Sequence, residues 1–109
     1  MKLIVAIIRP NKLEDVREAL LKVGEFGVTI TQVRGFGKQQ GHIDAFDLKC
    51  SFLPKEKLEI AVKDSEVKKV IAAVKKAAFT GENGDGKIFV LPLEEVVRIR
   101  TSQSGEDAL

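Results

Sequence analysis

The sequence predicts an α+β protein in which two helices cover one face of a four-stranded antiparallel sheet. Apolar strand-like runs and amphipathic helix-like stripes follow one another in the order β-α-β, β-α-β. The two halves are about equal in length, and a long irregular loop joins their second and third strands. This order is typical of the ferredoxin-like βαββαβ sandwich. Because the other face of such a sheet is uncovered, we expect a homo-oligomer to hide it.

The first half begins with an apolar run followed by a helical stripe. Residues 3–8 are rich in β-branched side chains, which is typical of a strand in the middle of a sheet. Asn11 is placed to cap the following helix, and Glu14 three residues later completes a capping box. We expect the helix to end at Gly24 or Gly27. Its apolar stripe consists of Leu13, Val16, Ala19, Leu20 and Val23.

The second half repeats this order of elements without repeating the residues. Residues 57–62 alternate as a strand, and Asp64 or Ser65 is placed to cap a second helix that ends at Gly81. Residues 87–91 predict the fourth strand. The stripe of the second helix consists of Val67, Val70, Ile71, Val74, Ala77 and Ala78.

Three further segments complete the single predicted domain, which spans residues 1–109. Residues 28–33 alternate as the second strand, and residues 96–99 form a short extended piece. Residues 37–54 are expected to form a protruding loop, and loops of that length are usually functional or disordered. The polar tail of residues 101–109 is expected to be loosely held.

Composition narrows the class of protein. A hydrophobic content of 44% with 31% charged residues indicates a soluble globular chain. The longest apolar run, residues 3–8, is too short to cross a bilayer and lacks the flanks of a signal peptide, so we expect no membrane insertion. A single cysteine, Cys50, favours a reduced, cytoplasmic protein without disulfides. A net charge of +2 gives no argument for binding nucleic acid.

Residues 80–89 carry the strongest chemical signal. Three glycines and Lys87 follow the second helix, and glycine lets backbone amides approach an anion closely. The segment 81–87 spells G-x-x-x-x-G-K, but Ile88 replaces the metal-binding Ser or Thr of a P-loop. A helix precedes the loop and a strand follows it, which is the reverse of a P-loop. The prediction is a phosphate site made of amides and lysine.

The other candidate motifs are weaker. Arg98 and Arg100 are two apart, so in an extended segment both would face one side and could bind phosphate oxygens. A solvated strand face with surface ion pairs is the simpler explanation for that pair alone. His42 with Asp44 lacks a third metal ligand, and a plain contact at the base of the loop is favoured.

Several blocks in this order resemble the PII nitrogen-regulatory signal-transduction proteins. The C-terminal signature is matched by Thr80-x-x-x-Gly84-Asp85-Gly86-Lys87-Ile88-Phe89-Val90 and then Arg98-Ile99-Arg100-Thr101. The N-terminal half is matched by Ala6-Ile7-Ile8-Arg9-Pro10, Lys12-Leu13, Arg17-Glu18-Ala19-Leu20, Gly35-Phe36-Gly37, Gln39, Gly41-His42 and Phe52-Leu53-Pro54-Lys55. The resemblance runs almost from end to end.

The resemblance implies a non-enzymatic homotrimer that binds ATP or ADP in the clefts between its subunits. It implies 2-oxoglutarate, held through Mg²⁺ and ATP, as a second ligand. It further implies that the protruding loop, called the T-loop in this family, regulates nitrogen metabolism by contacting an ammonium transporter or a nitrogen-assimilation enzyme or regulator. Recruitment to a membrane would then be peripheral, through the transporter.

The resemblance also assigns roles to individual residues. Ile7 and Thr29 match positions around the adenine, and Arg98 and Arg100 match arginines that reach the phosphates from the neighbouring subunit. The full nucleotide set is Ile7, Thr29, Gly35, Gly37, Lys38, Gln39, Gly84, Asp85, Gly86, Lys87, Arg98 and Arg100. The set for 2-oxoglutarate is Gln39, Gly41 and Lys55, and Gln39 also matches the Mg²⁺ contact.

Departures from the family pattern fall mostly in the loop. The loop is shorter than usual by roughly three residues, a change that loops tolerate. The chain contains no tyrosine, which excludes uridylylation, and Lys49 is the only cation near the position of the arginine that plugs the ammonium channel in relatives. Lys38 replaces a usual arginine, and Asn83 replaces an aliphatic residue. An adenylate-only sensor that has lost the 2-oxoglutarate response therefore stays open.

Two other functions are open alternatives. A weak ATPase would need a positioned base, for which Asp85 and His42 are the only candidates, and they lie in different loops. RNA-recognition modules share the predicted topology but stack bases on aromatic residues of the central strands. The first strand here has no aromatic residue, and Phe89 alone is not a platform.

Overall fold

The computed structural model describes residues 1–37 and 52–109 and contains a four-stranded antiparallel sheet with two helices. The strands lie in the order β2-β3-β1-β4, which confirms the predicted ferredoxin-like α+β fold. In chain order the elements are β1 (Lys2–Ile8), α1 (Leu13–Val23), β2 (Val28–Gly35), β3 (Leu53–Val62), α2 (Val67–Ala78) and β4 (Lys87–Pro92). Short 3-10 helices occur at Pro10–Lys12, Asp64–Glu66 and Gly105–Ala108.

The core lies between the sheet and both helices. Along β1, every second side chain from Ile4 to Ile8 is buried, as the period of a half-covered strand requires. The same cluster includes residues of β3 and of the two helices, so both helices cover one face. Its members are Ile4, Ala6, Ile8, Val16, Leu20, Leu58, Ile60, Val62, Val70, Val74 and Ala78. Burial of each large aliphatic side chain contributes about 1.5–3 kcal/mol.

The opposite face of the sheet carries apolar side chains that no element of the described chain covers. Strand register places Val5 opposite Phe89 and Leu3 opposite Leu91 on this face. Phe89 and Leu91 are 48% and 44% exposed. The homo-oligomer expected from the sequence stays a prediction, and this face is the surface that it would bury.

The helices begin differently from the sequence prediction. Asn11 lies within the 3-10 helix Pro10–Lys12, and no side chain caps the start of α1, so the predicted capping box of Asn11 and Glu14 is wrong. Neither Asp64 nor Ser65 caps α2, because both lie in the preceding 3-10 helix. There the carboxylate of Glu66 accepts a hydrogen bond from the Lys63 amide at 3.1 Å. A tight 3-10 turn thus replaces a side-chain cap at both starts.

Two element ends also differ from the prediction. The first helix does end at Gly24, whose amide donates to the Leu20 carbonyl at 3.2 Å. The second ends at Ala78 rather than at Gly81, because Phe79 adopts an extended backbone with ψ of 130°. Strand β3 begins at Leu53, four residues before the predicted start at position 57. Its early start pairs Leu53 with Gly35, so β2 and β3 form a longer hairpin than the sequence pattern indicates.

The C-terminal segment is folded back on itself, which corrects two predictions. A bridge joins Val97 to Ser104, and the Arg98 amide donates to the Gln103 carbonyl at 2.8 Å. The tail is therefore held by hydrogen bonds rather than loose. Residues 99–101 form a turn, so the alternation that would place Arg98 and Arg100 on one side of an extended strand does not apply.

Within residues 1–37 and 52–109, neither helix has the length and hydropathy needed to cross a membrane.

Candidate functional site

Strand register brings several predicted site residues to one end of the sheet. Lys55 on β3 pairs with Val33 near the end of β2, and Ile7 on β1 pairs with Lys87 at the start of β4. Arg9 follows directly after β1 at the same end. The loop of residues 80–86 enters β4 there. A glycine-rich loop and three cations therefore lie at the same end of the sheet. The cations are Arg9, Lys55 and Lys87.

The carboxylate of Asp85 organises the loop. Its Oδ2 accepts hydrogen bonds from the amides of Thr80 and Gly81, each at 2.9 Å. Its Oδ1 accepts from the Thr80 hydroxyl and from Nε of Arg9. These hydrogen bonds, led by those from Thr80, hold the pKa of Asp85 well below its usual range, so the group is ionised at neutral pH.

Arg9 is the residue of this site whose role the sequence reasoning missed. Its Nε donates to Asp85 Oδ1 at 3.1 Å, and its Nη2 donates to the Asn83 carbonyl at 2.6 Å. One guanidinium thus binds both the organising carboxylate and the backbone of the loop tip. The only signal in the sequence was its place in the block Ala6-Ile7-Ile8-Arg9-Pro10, which carries no information about contacts 74 and 76 residues away.

Lys55 also contacts the loop. Its ammonium donates to the Gly84 carbonyl. Burial, and to a smaller degree the charge of Arg9, lowers the pKa of Lys55, while the charge of Asp85 opposes that shift. Two cations therefore face the carbonyls of neighbouring residues, Asn83 and Gly84, on one side of the loop.

Two glycines let the loop lie close to the first strand. Gly86 has φ of 106°, and a Cβ there would lie 1.7 Å from the Ile7 carbonyl oxygen. No other residue type fits without moving the backbone. Gly84 has φ of 98°, and a Cβ there would lie 3.4 Å from the side-chain nitrogens of both Arg9 and Lys55. The loop is thus held against the end of β1, and the backbone of Gly84 lies close to both cations.

The amides available to an anion are fewer than the sequence predicted. Those of Thr80 and Gly81 are bound to Asp85, and that of Glu82 donates to the Thr80 hydroxyl at 3.1 Å. Within the described chain, the amides of Gly84 and Gly86 donate to no group. The predicted combination of amides and lysine is therefore reduced to two glycine amides, with the cations supplying most of the positive charge.

The remaining nucleotide residues lie elsewhere in the single chain. Thr29 and Gly35 are on β2, which is the opposite edge strand from β4. Gly37 is exposed just beyond β2. Arg98 donates to the Leu109 carbonyl at 3.1 Å and to the Gln103 side chain at 3.3 Å, both within the C-terminal segment. One copy of the chain does not gather these residues around the loop.

Several predicted residues lie outside the described part of the chain. They are Lys38, Gln39, Gly41, His42, Asp44, Lys49 and Cys50. Among residues 1–37 and 52–109, no three His, Cys, Asp or Glu side chains are grouped as a metal site would require.

Comparison with known proteins places the chain in a family. The family model described as nitrogen regulatory protein P-II matches residues 1–103. The chain is 51% identical to nitrogen regulatory protein GlnK of Escherichia coli strain K12 and 52% identical to nitrogen regulatory protein P-II of Azospirillum brasilense, each over the full length of both proteins. It is also similar to a crystal structure of Arabidopsis thaliana PII bound to citrate. That match has a TM-score of 0.84 and 44% identity, and covers 99% of this chain and 91% of the other.

These matches agree with the resemblance that the sequence blocks indicated. They extend over the whole fold, including the loop between α2 and β4 that Arg9 and Asp85 hold in place. Both curated relatives are named nitrogen regulatory proteins. The chain belongs to the P-II family of nitrogen regulatory signal-transduction proteins.

Proposed function

We propose that the protein senses ATP or ADP together with 2-oxoglutarate and passes that state to proteins of nitrogen metabolism. The observation that carries the proposal is that Arg9 and Lys55 both contact the loop that contains Gly84 and Gly86, and that Lys87 follows this loop directly at the start of β4. Three cations beside a glycine-rich loop favour a polyphosphate, since guanidinium and ammonium groups both bind phosphate oxygens.

The separation of the other nucleotide residues favours a site shared between copies of the chain. Thr29 and Gly35 are on one edge strand of the sheet, and Lys87 is on the other. Association of copies through the uncovered apolar face would bring one copy's β2 edge near another copy's loop. Arg98 and Arg100 would then reach the phosphates across the interface. A homotrimer is the assembly that we propose.

The Mg²⁺ ion that would accompany ATP is assigned to the amide oxygen of Gln39, which lies outside the described residues. Amide oxygen is a suitable ligand for this hard cation. Asp85 does not replace it, because both of its oxygens already accept hydrogen bonds from Thr80, Gly81 or Arg9. When bound, the ion would neutralise phosphate charge.

The same hydrogen bonds argue against turnover as the function. A general base needs a free oxygen and a pKa near the working pH. Asp85 has neither, since four donors hold its carboxylate and its pKa is lowered. We therefore propose a binding protein rather than an ATPase.

The second ligand is assigned to Lys55 together with Gln39 and Gly41. The Lys55 ammonium suits a carboxylate, and the relative from Arabidopsis thaliana was solved with the carboxylate ligand citrate. Because Lys55 donates to the Gly84 carbonyl, it must exchange that contact for 2-oxoglutarate. This exchange would connect the ligand to the loop that holds the nucleotide.

The output of the proposed sensor is a protein contact. The T-loop would bind a target such as an ammonium transporter, or a nitrogen-assimilation enzyme or regulator, from the cytoplasm. Attachment to a membrane would be peripheral and would depend on the transporter. No nucleic-acid target is proposed.

Calorimetry with ATP tests the nucleotide part of the proposal. Lys87→Gln should weaken ATP binding about tenfold, because it removes one charged phosphate contact. Lys76→Gln, on the exposed face at the end of α2, is the matched control and should bind as the unaltered protein does. Absence of ATP binding by the unaltered protein at millimolar concentration would overturn the proposal.

A further inference from the structure

Glu56 is a carboxylate at a position that the strand pattern reserves for the core. It lies on β3, and the next side chains on its face are Leu58, Ile60 and Val62, all buried. Only 8% of Glu56 is exposed. Its register partners are Ile8 on β1 and Gln32 on β2, so it sits inside the sheet rather than at an edge.

The carboxylate is only partly satisfied. Its Oε2 is buried and has no hydrogen-bond partner within residues 1–37 and 52–109. A buried carboxylate without a donor destabilises a fold, and an apolar side chain of similar volume would fill the position at no such cost. A residue that breaks the local pattern at a cost in stability is expected where it has a function.

A cavity of about 860 Å³ opens beside this carboxylate. Its walls combine apolar surface with one acidic, one basic and one amide side chain. Arg34 is exposed and is on the same face of β2 as Gln32, two residues closer to the strand end. Within residues 1–37 and 52–109, neither Glu56 nor Arg34 forms an ion pair shorter than 4 Å. The lining residues are Pro10, Gln32, Val33, Arg34, Phe52, Pro54 and Glu56.

We propose that this cavity binds a small organic molecule that carries an ammonium group and a carboxylate, that is, a free amino acid. The ammonium donates to Glu56, and the carboxylate accepts from Arg34. The apolar walls formed by Pro10, Phe52 and Pro54 contact the hydrocarbon part of the ligand. The site is distinct from the loop of residues 80–86 and does not depend on nucleotide binding.

Access to the carboxylate comes from its terminal torsion. The last torsion of a glutamate side chain is broad, so rotation brings either oxygen to the cavity side. An ammonium placed there replaces the missing donor, and a charge-assisted hydrogen bond in a partly dry site is stronger than one in water.

A titration followed by NMR on the full chain tests the proposal. Three probes of similar length separate its two charges: L-norleucine carries both groups, n-pentylamine only the ammonium, and hexanoate only the carboxylate. Norleucine should bind most tightly and should shift the amide signals of residues 32–34 and of Phe52, Leu53, Lys55 and Glu56. Pentylamine should bind more weakly at the same signals, and hexanoate, which keeps only the Arg34 contact and is repelled by Glu56, should bind most weakly.

Two variants assign the binding to Glu56. Glu56→Gln keeps the shape and removes the charge, so norleucine affinity should fall at least about tenfold. Glu59→Gln, on the opposite face of the same strand, is the control and should bind norleucine unchanged. The amide spectrum of each variant reports directly whether it is folded. Equal affinity in Glu56→Gln, or no shift with norleucine at millimolar concentration, would overturn the proposal whether or not ATP binds.

Discussion

Arg9 Nε and Asp85 Oδ1 lie 3.1 Å apart, and this ion pair ties the end of the first strand to the loop before the fourth. Both side chains are partly shielded from water, at 29% and 24% exposure. Arg9 also reaches the Asn83 carbonyl, while Asp85 holds the Thr80 and Gly81 amides. The loop therefore has its shape before any ligand arrives, which lowers the ordering cost of binding.

Removing the Arg9 guanidinium should weaken nucleotide binding by loosening the loop. Arg9→Gln is expected to raise the Kd for ATP about tenfold, since one cation and two hydrogen bonds to the loop are lost. Asp85→Asn should have a similar effect. Because the two residues touch, the double variant should lose less than the product of the single losses, as calorimetry would show.

Arg17→Gln is the control for the comparison of the single and double variants of Arg9 and Asp85. Arg17 is exposed on α1 and pairs only with Glu14 at 3.7 Å within the described chain, so ATP affinity should be unchanged. Strictly multiplicative losses in the Arg9 and Asp85 variants would show that the two residues act separately, contrary to the structure.

The depressed pKa of Asp85 predicts a pH dependence of stability. A carboxyl whose folded pKa lies below its unfolded value, near 3.9, contributes stability above that pH and loses it as the pH falls further. The denaturation midpoint should therefore begin to drop at about pH 5 and should keep falling below about pH 4, as the pH approaches the folded pKa. In Asp85→Asn this drop should be smaller, measured at a fixed protomer concentration.

Asp64 contributes to the same drop from the other end of the sheet. Its pKa is lowered by a hydrogen bond from the N-terminal amine and by Lys2. Asp64 and Asp85 share no partner, so Asp64→Asn should independently reduce the acid-induced drop of the denaturation midpoint. The two reductions should add in the double variant. If the acid-induced drop of the denaturation midpoint were unchanged in Asp85→Asn, the hydrogen bonds to the Asp85 carboxylate would not form in solution.

Gly86 should tolerate no side chain. Gly86→Ala places a Cβ 1.7 Å from the Ile7 carbonyl oxygen at a φ of 106°, so the start of β4 must move. The free energy of unfolding should fall by at least about 2 kcal/mol, in line with backbone strain plus a backbone clash. Gly27→Ala, where a Cβ meets nothing within 4 Å, should change it by less than about 0.5 kcal/mol. Equal effects in chemical denaturation would contradict the close approach of the loop to β1.

Glu56→Leu should stabilise the unliganded protein. The change replaces a buried, partly unsatisfied carboxylate with the residue type found at Leu58, the next core position on the same face. The expected gain is about 1–3 kcal/mol in chemical denaturation. Glu59→Leu, on the open face, is the matched change and should not give this gain. A loss of stability in Glu56→Leu would show that the carboxylate has a partner that stabilises the fold.

The order of elements was predictable because hydrophobic periodicity records which face each element buries. Residues such as Ile4, Val16 and Val70 occur at the spacing of their strand or helix, and the structure places them in one core. Glu56 could not be predicted as buried, because a charged residue in a strand pattern normally indicates solvent. The helix starts were missed because 3-10 turns, rather than Asn11 or Asp64 side chains, precede both helices.

The candidate site was predictable in outline only. The spacing of the glycines indicated the loop of residues 80–86, and the sequence blocks along the chain indicated the family. The contacts of Arg9 and Lys55 with the loop depend on strand register across the sheet, which no local pattern records. The same limit applies to Asp85. Its carboxylate accepts hydrogen bonds from the Thr80 and Gly81 amides, which the sequence predicted to be available to an anion.

Calorimetry of 2-oxoglutarate binding with and without Mg²⁺ and ATP tests the central proposal most directly. Reciprocal coupling between the two ligands predicts that ATP raises the affinity for 2-oxoglutarate at least about fivefold, and that 2-oxoglutarate raises the affinity for ATP by the same factor. Lys55→Met should abolish this coupling, while ATP should still bind, more weakly because one of the three cations is lost. Binding of ATP with no effect of 2-oxoglutarate would leave an adenylate-only sensor and would contradict the proposed function.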